Sequence, residues 1–282
     1  MTGKTSTVFI PAYNQVELVE GCIRSVLSCF VGSISILDDS DRRGVAEAVA
    51  EIGQLRSGAE LSYQPRLQPL QRKNHISNWN RYLELKNSSS SYLNLRHHDD
   101  YLIPDLSRGL NAELNDEGGP MLIIHPVLVP ILKIKRLTIA RYHSPPCLQR
   151  LLLRYFPAEL LTLVNYIGPT ACVWIKEELA ELAPGFDERL KWLVDCNWYV
   201  SLLNHCKPTD IRISNRAANR SIPHSGTITA HLKPKIAELE RDELQLLASQ
   251  MRISSSLKRL AQTVRVVNRF MSLLVIRIYI ET

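Results

Sequence analysis

The stretch Tyr92-Leu93-Asn94-Leu95-Arg96-His97-His98-Asp99-Asp100-Tyr101-Leu102 decides how the rest of the chain is read. Its first half alternates and is rich in apolar residues, the pattern of a strand. Two histidines and two carboxylates then close it abruptly. A strand whose carboxyl end opens into a polar site has this form. Adjacent Asp side chains repel each other unless a cation, a proton or hydrogen-bond donors sit with them. The pair therefore calls for a partner.

The same pattern recurs on both sides. Thr7-Val8-Phe9-Ile10 reads as a fully buried first strand, ended by Pro11-Ala12-Tyr13-Asn14. Residues 17–30 carry apolar side chains at helical spacing (Leu18, Cys22, Val26, Cys29). Ile34-Ser35-Ile36-Leu37 reads as a second strand closed by Asp38-Asp39-Ser40-Asp41, and residues 44–55 as a second helix. Leu61-Ser62-Tyr63 fits a short third strand, residues 77–85 a helix, and residues 104–114 a helix with Pro near its first turn. Strands alternating with helices at this spacing predict an α/β protein with a parallel sheet.

Farther on, residues 122–132 form an apolar run containing Pro126 and Pro130, and residues 137–165 resist assignment apart from helical patches on either side of Pro157. Residues 171–175 read as a strand, 176–182 and 190–203 as helices, and 215–226 as a loop. Helices are expected again over residues 238–251 and 255–271. No internal repeat is visible.

Composition sets bounds. The 282 residues are 45% hydrophobic and 22% charged, enough for one sizeable core and no sign of disorder. Only 12 glycines are present, which argues against a Gly-rich phosphate loop. The formal charge of +6 suits an anionic partner without choosing one. None of the six cysteines falls in a CxxC pair, so buried free thiols in a reducing, cytoplasmic setting are expected rather than disulfides or zinc. No apolar run reaches the roughly 20 residues that span a bilayer. Residues 257–280 read instead as a basic amphipathic helix, suited either to an anionic membrane face or to packing on the rest of the protein.

Two strand ends carry acidic clusters, Asp38-Asp39 and Asp99-Asp100. Ligands of open α/β sheets bind at such ends. Carboxylates there can accept a base N–H, bond ribose hydroxyls, or hold Mg²⁺ or Mn²⁺, hard cations that take oxygen ligands. Each cluster alone fits a turn and helix cap better than a site. Having both, each at a strand end, tips the balance toward a site.

In order, these motifs resemble the family 2 glycosyltransferases of the GT-A fold. Val8-Phe9-Ile10-Pro11-Ala12-Tyr13-Asn14 is similar to their first strand and base-binding turn, and Ile36-Leu37-Asp38-Asp39-Ser40 to their second strand. Asn78-Trp79-Asn80-Arg81-Tyr82-Leu83-Glu84-Leu85 resembles the helix before the metal motif, and His97-His98-Asp99-Asp100-Tyr101-Leu102 stands where a DxD-type motif lies. Ile167-Gly168-Pro169-Thr170 and Gly185-Phe186-Asp187-Glu188-Arg189-Leu190 with Val194-Asp195 resemble the acceptor side. The likeness covers about residues 7–231.

The resemblance implies a Rossmann-like three-layer α/β/α fold with a mostly parallel central sheet and a helical C-terminal extension. It implies a GT-A domain over residues 1–231, with residues 1–102 binding nucleotide and 103–231 facing the acceptor, and an extension over 232–282. Pro11, Tyr13 and Asp39 would contact base and ribose. Asp99 would bond ribose or metal, Asp100 would ligate Mn²⁺ or Mg²⁺, and Asp195 would be the general base, with Asp187 its rival. The partners implied are a nucleotide-diphosphate sugar and a glycan or lipid-linked acceptor, in synthesis of polysaccharide, lipopolysaccharide or another glycoconjugate. Peripheral contact with the inner face of a membrane is compatible with this, and nucleic acid is not expected. Uracil, guanine and thymine are all compatible as the base.

The chain also departs from the pattern. His97 stands where a first acidic residue is usual, and Val194 where a Glu precedes the base. Asn87-Ser88-Ser89-Ser90-Ser91 replaces a common Gly, and no cation follows Asp195 on its helix. These changes keep a non-catalytic nucleotide-sugar-binding or assembly role in view. A sugar nucleotidyltransferase would want a Gly-rich basic loop after the first strand, and a Rossmann dehydrogenase a GxGxxG there; the sequence has neither. His224 reads as an exposed loop histidine or, failing that, a contact to the diphosphate or metal, and Arg66, Arg72 and Lys73 as a solvated loop or, failing that, one phosphate contact. Trp192, Trp198 and Tyr199 fit either an acceptor cleft or the core.

Overall fold

The computed structural model describes residues 5–54, 58–65, 75–86, 90–116, 118–222, 232–247, 251 and 253–280. The chain runs β1 (Thr5–Ala12), α1 (Val16–Leu27), β2 (Ser33–Asp38), α2 (Gly44–Gly53), β3 (Glu60–Gln64), α3 (His75–Leu85), β4 (Ser90–Leu95) and β5 (Asp100–Leu102). It continues through α4 (Leu110–Leu114), β6 (Leu122–Ile124), β7 (Val127–Ile134), β8 (Leu137–Tyr142), α5 (Pro146–Tyr155), α6 (Leu160–Leu163), β9 (Val173–Lys176) and α7 (Glu177–Leu182). The last elements are α8 (Val194–Asn204), β10 (Ile211–Ile213), β11 (Asn219–Ser221), α9 (Ile236–Leu247), α10 (Ser255–Leu274) and β12 (Ile276–Ile280).

Seven strands form the central sheet in the order β10-β6-β9-β4-β1-β2-β3. Among them only β9 runs antiparallel to its neighbours. Successive side chains of a strand point to opposite faces, and each face has its own core. Phe9, Leu37, Leu93, Leu95, Val173 and Ile175 face one way, under α3, α5 to α8 and the C-terminal helices. Val8, Ile10, Ile34, Ile36, Tyr92 and Trp174 face the other way, under α1, α2 and α4. Both faces are covered, hence the near-continuous apolar runs of β1 and β2. The expected three-layer α/β/α fold with a mostly parallel sheet is the observed one.

A second sheet of five strands has the order β12-β8-β7-β11-β5. Sequence pattern does not reveal the β7–β8 hairpin. Its register slips between Pro130 and Leu132, so the proline, which has no N–H to give a ladder, sits at an irregularity. Its turn needs Lys135 at a positive φ of 53°. The segment 215–226, expected as a loop, contains β11. The C-terminal stretch expected as one helix also divides: α10 ends at Leu274, and Ile276–Ile280 pairs antiparallel with β8. Tyr279 on that strand is buried with Ala140 and Tyr142, so a strand buries what a continued helix would leave in solvent.

All six cysteines are free, as expected, but Cys147 is exposed rather than buried. No helix among the described residues is long and apolar enough to cross a membrane.

Candidate functional site

At the carboxyl ends of β1, β2 and β4 lies a cleft of about 960 Å³, within the usual size of small-molecule sites. Its floor begins at the β1 turn. Asn14 adopts a positive φ of 54°, which Asn tolerates better than most residues. Its amide N–H donates to Ser40 Oγ, and its Oδ1 accepts from the Asp41 N–H at 2.9 Å. The turns after β1 and β2 are thereby tied together. Asp38 and Asp39 then part ways. Asp38 accepts from Tyr63 O–H at 2.6 Å and from the Ser40 N–H at 2.9 Å. It is a turn-forming residue and does not line the cleft. Asp39, with Pro11 and Tyr13, does.

Helix α3 holds the next wall, and its motif is accounted for residue by residue. Asn78 donates to the Leu37 carbonyl, and Arg81 to the Asp38 and Pro65 carbonyls. Asn80 pairs with the backbone of Phe186 through both its amide nitrogen and its oxygen. A Cβ at Gly185 would come within 2.5 Å of Asn80 Oδ1, so glycine is needed at that crossing. Trp79 lies over the ring of His97, with centroids 4.3 Å apart.

The turn 97–100 follows. The Asp100 N–H closes it on the His97 carbonyl, and Asp100 pairs in register with Ser221 of β11. Beneath it, the fully buried Arg96 donates to the Asp100 and Ala171 carbonyls. His98 turns away from the acidic pair, bonding the Pro11 carbonyl and, at 2.8 Å, Gln15 Oε1. His97, Asp99 and Asp100 each offer a ligand atom, all within 4.8 Å of one another. Among the described residues this is the one such group of His, Cys, Asp or Glu, and no zinc-type cluster accompanies it.

The chemistry of this group fits a divalent cation. Asp100 Oδ1 is buried and has no hydrogen-bond partner, a costly state for a carboxylate that a cation relieves. Burial first, and the Asp99 charge second, push the Asp100 carboxyl well above the ordinary range. Burial holds the His97 imidazole below its ordinary value, so it is neutral near pH 7 and its lone pair can serve as a ligand. Two carboxylates and one imidazole suit Mn²⁺ and, through oxygen, Mg²⁺.

The opposite wall is helical. Asp195, the second residue of α8, lines the cleft, and burial pushes its carboxyl up to about 7. The chain leading into α8 is gathered by Glu243 of α9. The buried Glu243 carboxylate accepts from the amides of Lys191, Trp192 and Leu193 at 2.7–3.1 Å. An anion at three successive N–H groups just before a helix also suits the helix dipole. Arg265 of α10 enters the same wall, bonding the Leu163 carbonyl and Glu240. The expected rival, Asp187, is not in the cleft lining. Arg189 grips both its oxygens and holds its carboxyl below the ordinary range.

The structure thus gathers Pro11, Tyr13, Asp39, Asp99, Asp100 and Asp195 around one cavity. Trp192 lines it, whereas Trp198 and Tyr199 belong to the core. His224, Arg66, Arg72 and Lys73 lie outside the described residues. Sequence gives no sign of Glu243, Glu240 or Arg265, because each comes from a helix remote in the chain whose charges look like any solvated face.

No protein-family model and no curated protein matches the sequence. Solved structures do. S. aureus TarS aligns with TM-score 0.56 at 11% identity over 94% of this chain, and the chain spans 43% of that protein's length. Residues 1–349 of TarS align with TM-score 0.53 at 12% identity, over 95% of this chain and 72% of that one. The mannosyltransferase PcManGT of Pyrobaculum calidifontis, solved with GDP-Man and Mn²⁺, aligns with TM-score 0.55 at 13% identity, over 97% and 84%. The fold is the GT-A type of glycosyltransferases.

Proposed function

We propose that this protein is a metal-dependent glycosyltransferase of the family 2 kind. It would move a sugar from a nucleotide-diphosphate donor to an acceptor hydroxyl with inversion. One observation carries the reading: four carboxylates from three separate places in the chain, Asp39, Asp99, Asp100 and Asp195, line a single cleft of a GT-A fold. Pro11, Tyr13 and Asp39 would hold the base and ribose. His97, Asp99 and Asp100 would hold Mn²⁺ or Mg²⁺, and a cation there supplies Lewis-acid compensation for charge on a departing diphosphate. Asp195 would take the proton of the acceptor hydroxyl as that oxygen attacks the anomeric carbon and the bond to the diphosphate breaks. Its raised carboxyl is matched to proton transfer near neutral pH. The neighbour solved with GDP-Man and Mn²⁺ supports a nucleotide sugar and metal as the ligand class.

The acceptor would be a glycan or a lipid-linked sugar, in synthesis of a polysaccharide or other glycoconjugate. Six free cysteines support work in a reducing compartment such as the cytoplasm. Calorimetry with UDP-, GDP- and dTDP-sugars, each with Mn²⁺ and with chelator, tests the reading. Binding of at least one donor that requires the metal is expected. No binding under any condition sinks it. Binding without transfer to any acceptor would favour a non-catalytic partner instead.

A further inference from the structure

We propose that the outer face of α10, the strand β12 and the β7–β8 hairpin form a docking surface for an anionic lipid bilayer. The helix states the case first. Leu257, Ala261 and Val264 bury one side of α10 in the core. On the opposite side, Val266, Phe270, Leu273 and Leu274 are exposed by 70%, 64%, 56% and 67%. A helix of a soluble domain places polar residues there.

The chain carries the apolar exposure on from the helix into the second sheet. Val275, Ile276 and Ile278 are exposed. Register puts Leu132, Ile139 and Ile278 in one row across β7, β8 and β12, and Ile134 opposite Leu137 in the next. The other face of these strands is packed with Ala140, Tyr142 and Tyr279. The sheet therefore has one covered side and one side on which Leu132, Ile134, Leu137, Ile276 and Ile278 are exposed. This many exposed large apolar residues on one helix face and one sheet face mark an interaction surface.

Charge selects the occupant. Residues 127–142 contain four Lys or Arg and no Asp or Glu, and residues 253–280 contain five and none. Apolar side chains on segments that carry cations and no acidic residue of their own are complementary to a bilayer with anionic headgroups, where acyl chains take the former and phosphates the latter. A second copy of this chain would set like charges against each other. The hairpin turn Lys133, Lys135 and Arg136 and the α10 residues Arg259 and Arg269 are among those cations.

The surface also sits close to the cleft. Arg265 lines the cleft, while its neighbour Val266 faces out. The two surfaces are thus separated by about one helix diameter, ~10 Å. Resting on the proposed transfer, that spacing suits an acceptor anchored in the same bilayer.

Vesicle flotation of the whole chain tests docking independently of catalysis. Vesicles of phosphatidylcholine alone are compared with phosphatidylcholine and phosphatidylglycerol at roughly 2:1. The protein is expected to float with the anionic vesicles and not with the neutral ones. Phe270→Glu combined with Ile278→Glu is expected to lower the bound fraction by about tenfold, with metal-dependent donor binding unchanged in calorimetry. If that variant fails to fold, Lys133→Glu with Arg136→Glu in the exposed turn takes its place and has the same expected loss. Absence of flotation on either vesicle, or equal flotation of the variants and the native protein, overturns the proposal. A dimer in light scattering that either variant dissociates overturns it in favour of a second copy. Flotation without donor binding would keep the surface and discard the transferase reading.

Discussion

The two walls of the cleft are made in different ways. The sheet wall is set by the ends of adjacent strands, each turn fastened to the next by short hydrogen bonds. Asn14 binds the Ser40–Asp41 turn, His98 binds Pro11, and α3 binds the end of β2. The helical wall depends on Glu243, fifty residues from the amides it gathers, and on α10, which brings Arg265. One wall is a product of sheet topology. The other is a product of tertiary docking by the C-terminal helices. Damage to the first should therefore remove ligand binding, and damage to the second should leave binding in place while displacing Asp195.

The largest expected effect tests the sheet wall. Asp100→Asn removes the carboxylate whose buried Oδ1 has no hydrogen-bond partner. Metal-dependent donor binding should fall below detection in calorimetry, with the fold intact by circular dichroism. Retained affinity would move the metal away from this turn. Asp195→Asn comes next. Donor affinity should stay within about twofold, while transfer falls by about 10²–10⁴, the span of a lost general base. Unchanged turnover would remove Asp195 from that role.

Glu243→Ala breaks the comparison at its most sensitive point. It strips the acceptor from three amides, and a buried unsatisfied group costs about 1–3 kcal/mol. A loss of about 3 kcal/mol in denaturant unfolding is expected, with kcat lowered about tenfold and donor affinity preserved. Glu243→Gln keeps one acceptor oxygen and should restore part of both. A purely structural role would lower stability without the split between kcat and donor affinity.

A smaller effect follows from the Asp195 carboxyl. Its folded value, raised by burial to about 7, lies above the unfolded value near 4. Folding therefore prefers the protonated acid. The penalty is absent below about pH 4, grows as pH rises, and is complete above about pH 7. In metal-free protein, Asp195→Asn should match the native stability at acid pH and exceed it by about 2–4 kcal/mol at pH 8, less where water in the cleft screens the charge. Parallel stability curves across that window would show that the carboxyl is not held in a poorly solvated place. The Asp195 charge is felt at the Asp100 carboxyl, and metal bound there would shrink the difference.

The same contrast explains what could be read from the sequence. β1, β2 and β4 announce themselves because strands buried on both faces are short apolar runs that end in polar residues, and the site hangs on those ends. The helix 78–85 was legible as a motif, although its reasons (Asn80 on Phe186, Trp79 over His97) are contacts between remote segments. Asp38 and Asp39 look alike in sequence. Only the placement of Tyr63 on β3 shows that the first shapes a turn and the second faces the cleft. The β7–β8 hairpin was hidden by Pro130 and by an outward face as apolar as its inward one, which erases the period-two signal. α8 begins at Val194 rather than at 190, where the Glu243 carboxylate holds the preceding amides in a turn. Nothing local encodes that.

The smallest expected effect concerns His97, where this chain departs most from the motif it resembles. The imidazole is neutral, packed under Trp79, and its Nε2 is 3.5 Å from Thr170 Oγ1. It can lend a lone pair but no charge. His97→Asp would add a third carboxylate to the group, and affinity for hard cations grows with ligand charge. Mn²⁺ affinity should rise a few-fold in calorimetry, and the preference for Mn²⁺ over Mg²⁺ should narrow because a nitrogen ligand is exchanged for oxygen. The same change gives up the ring contact with Trp79 and adds like-charge repulsion in the metal-free state. Apo stability should therefore fall by about 1 kcal/mol. The two shifts have opposite signs, which separates a ligand from a packing residue. If His97→Asp and His97→Ala lose stability alike and neither moves the metal affinity, then His97 only supports Trp79, and the cation is held by Asp99 and Asp100 alone.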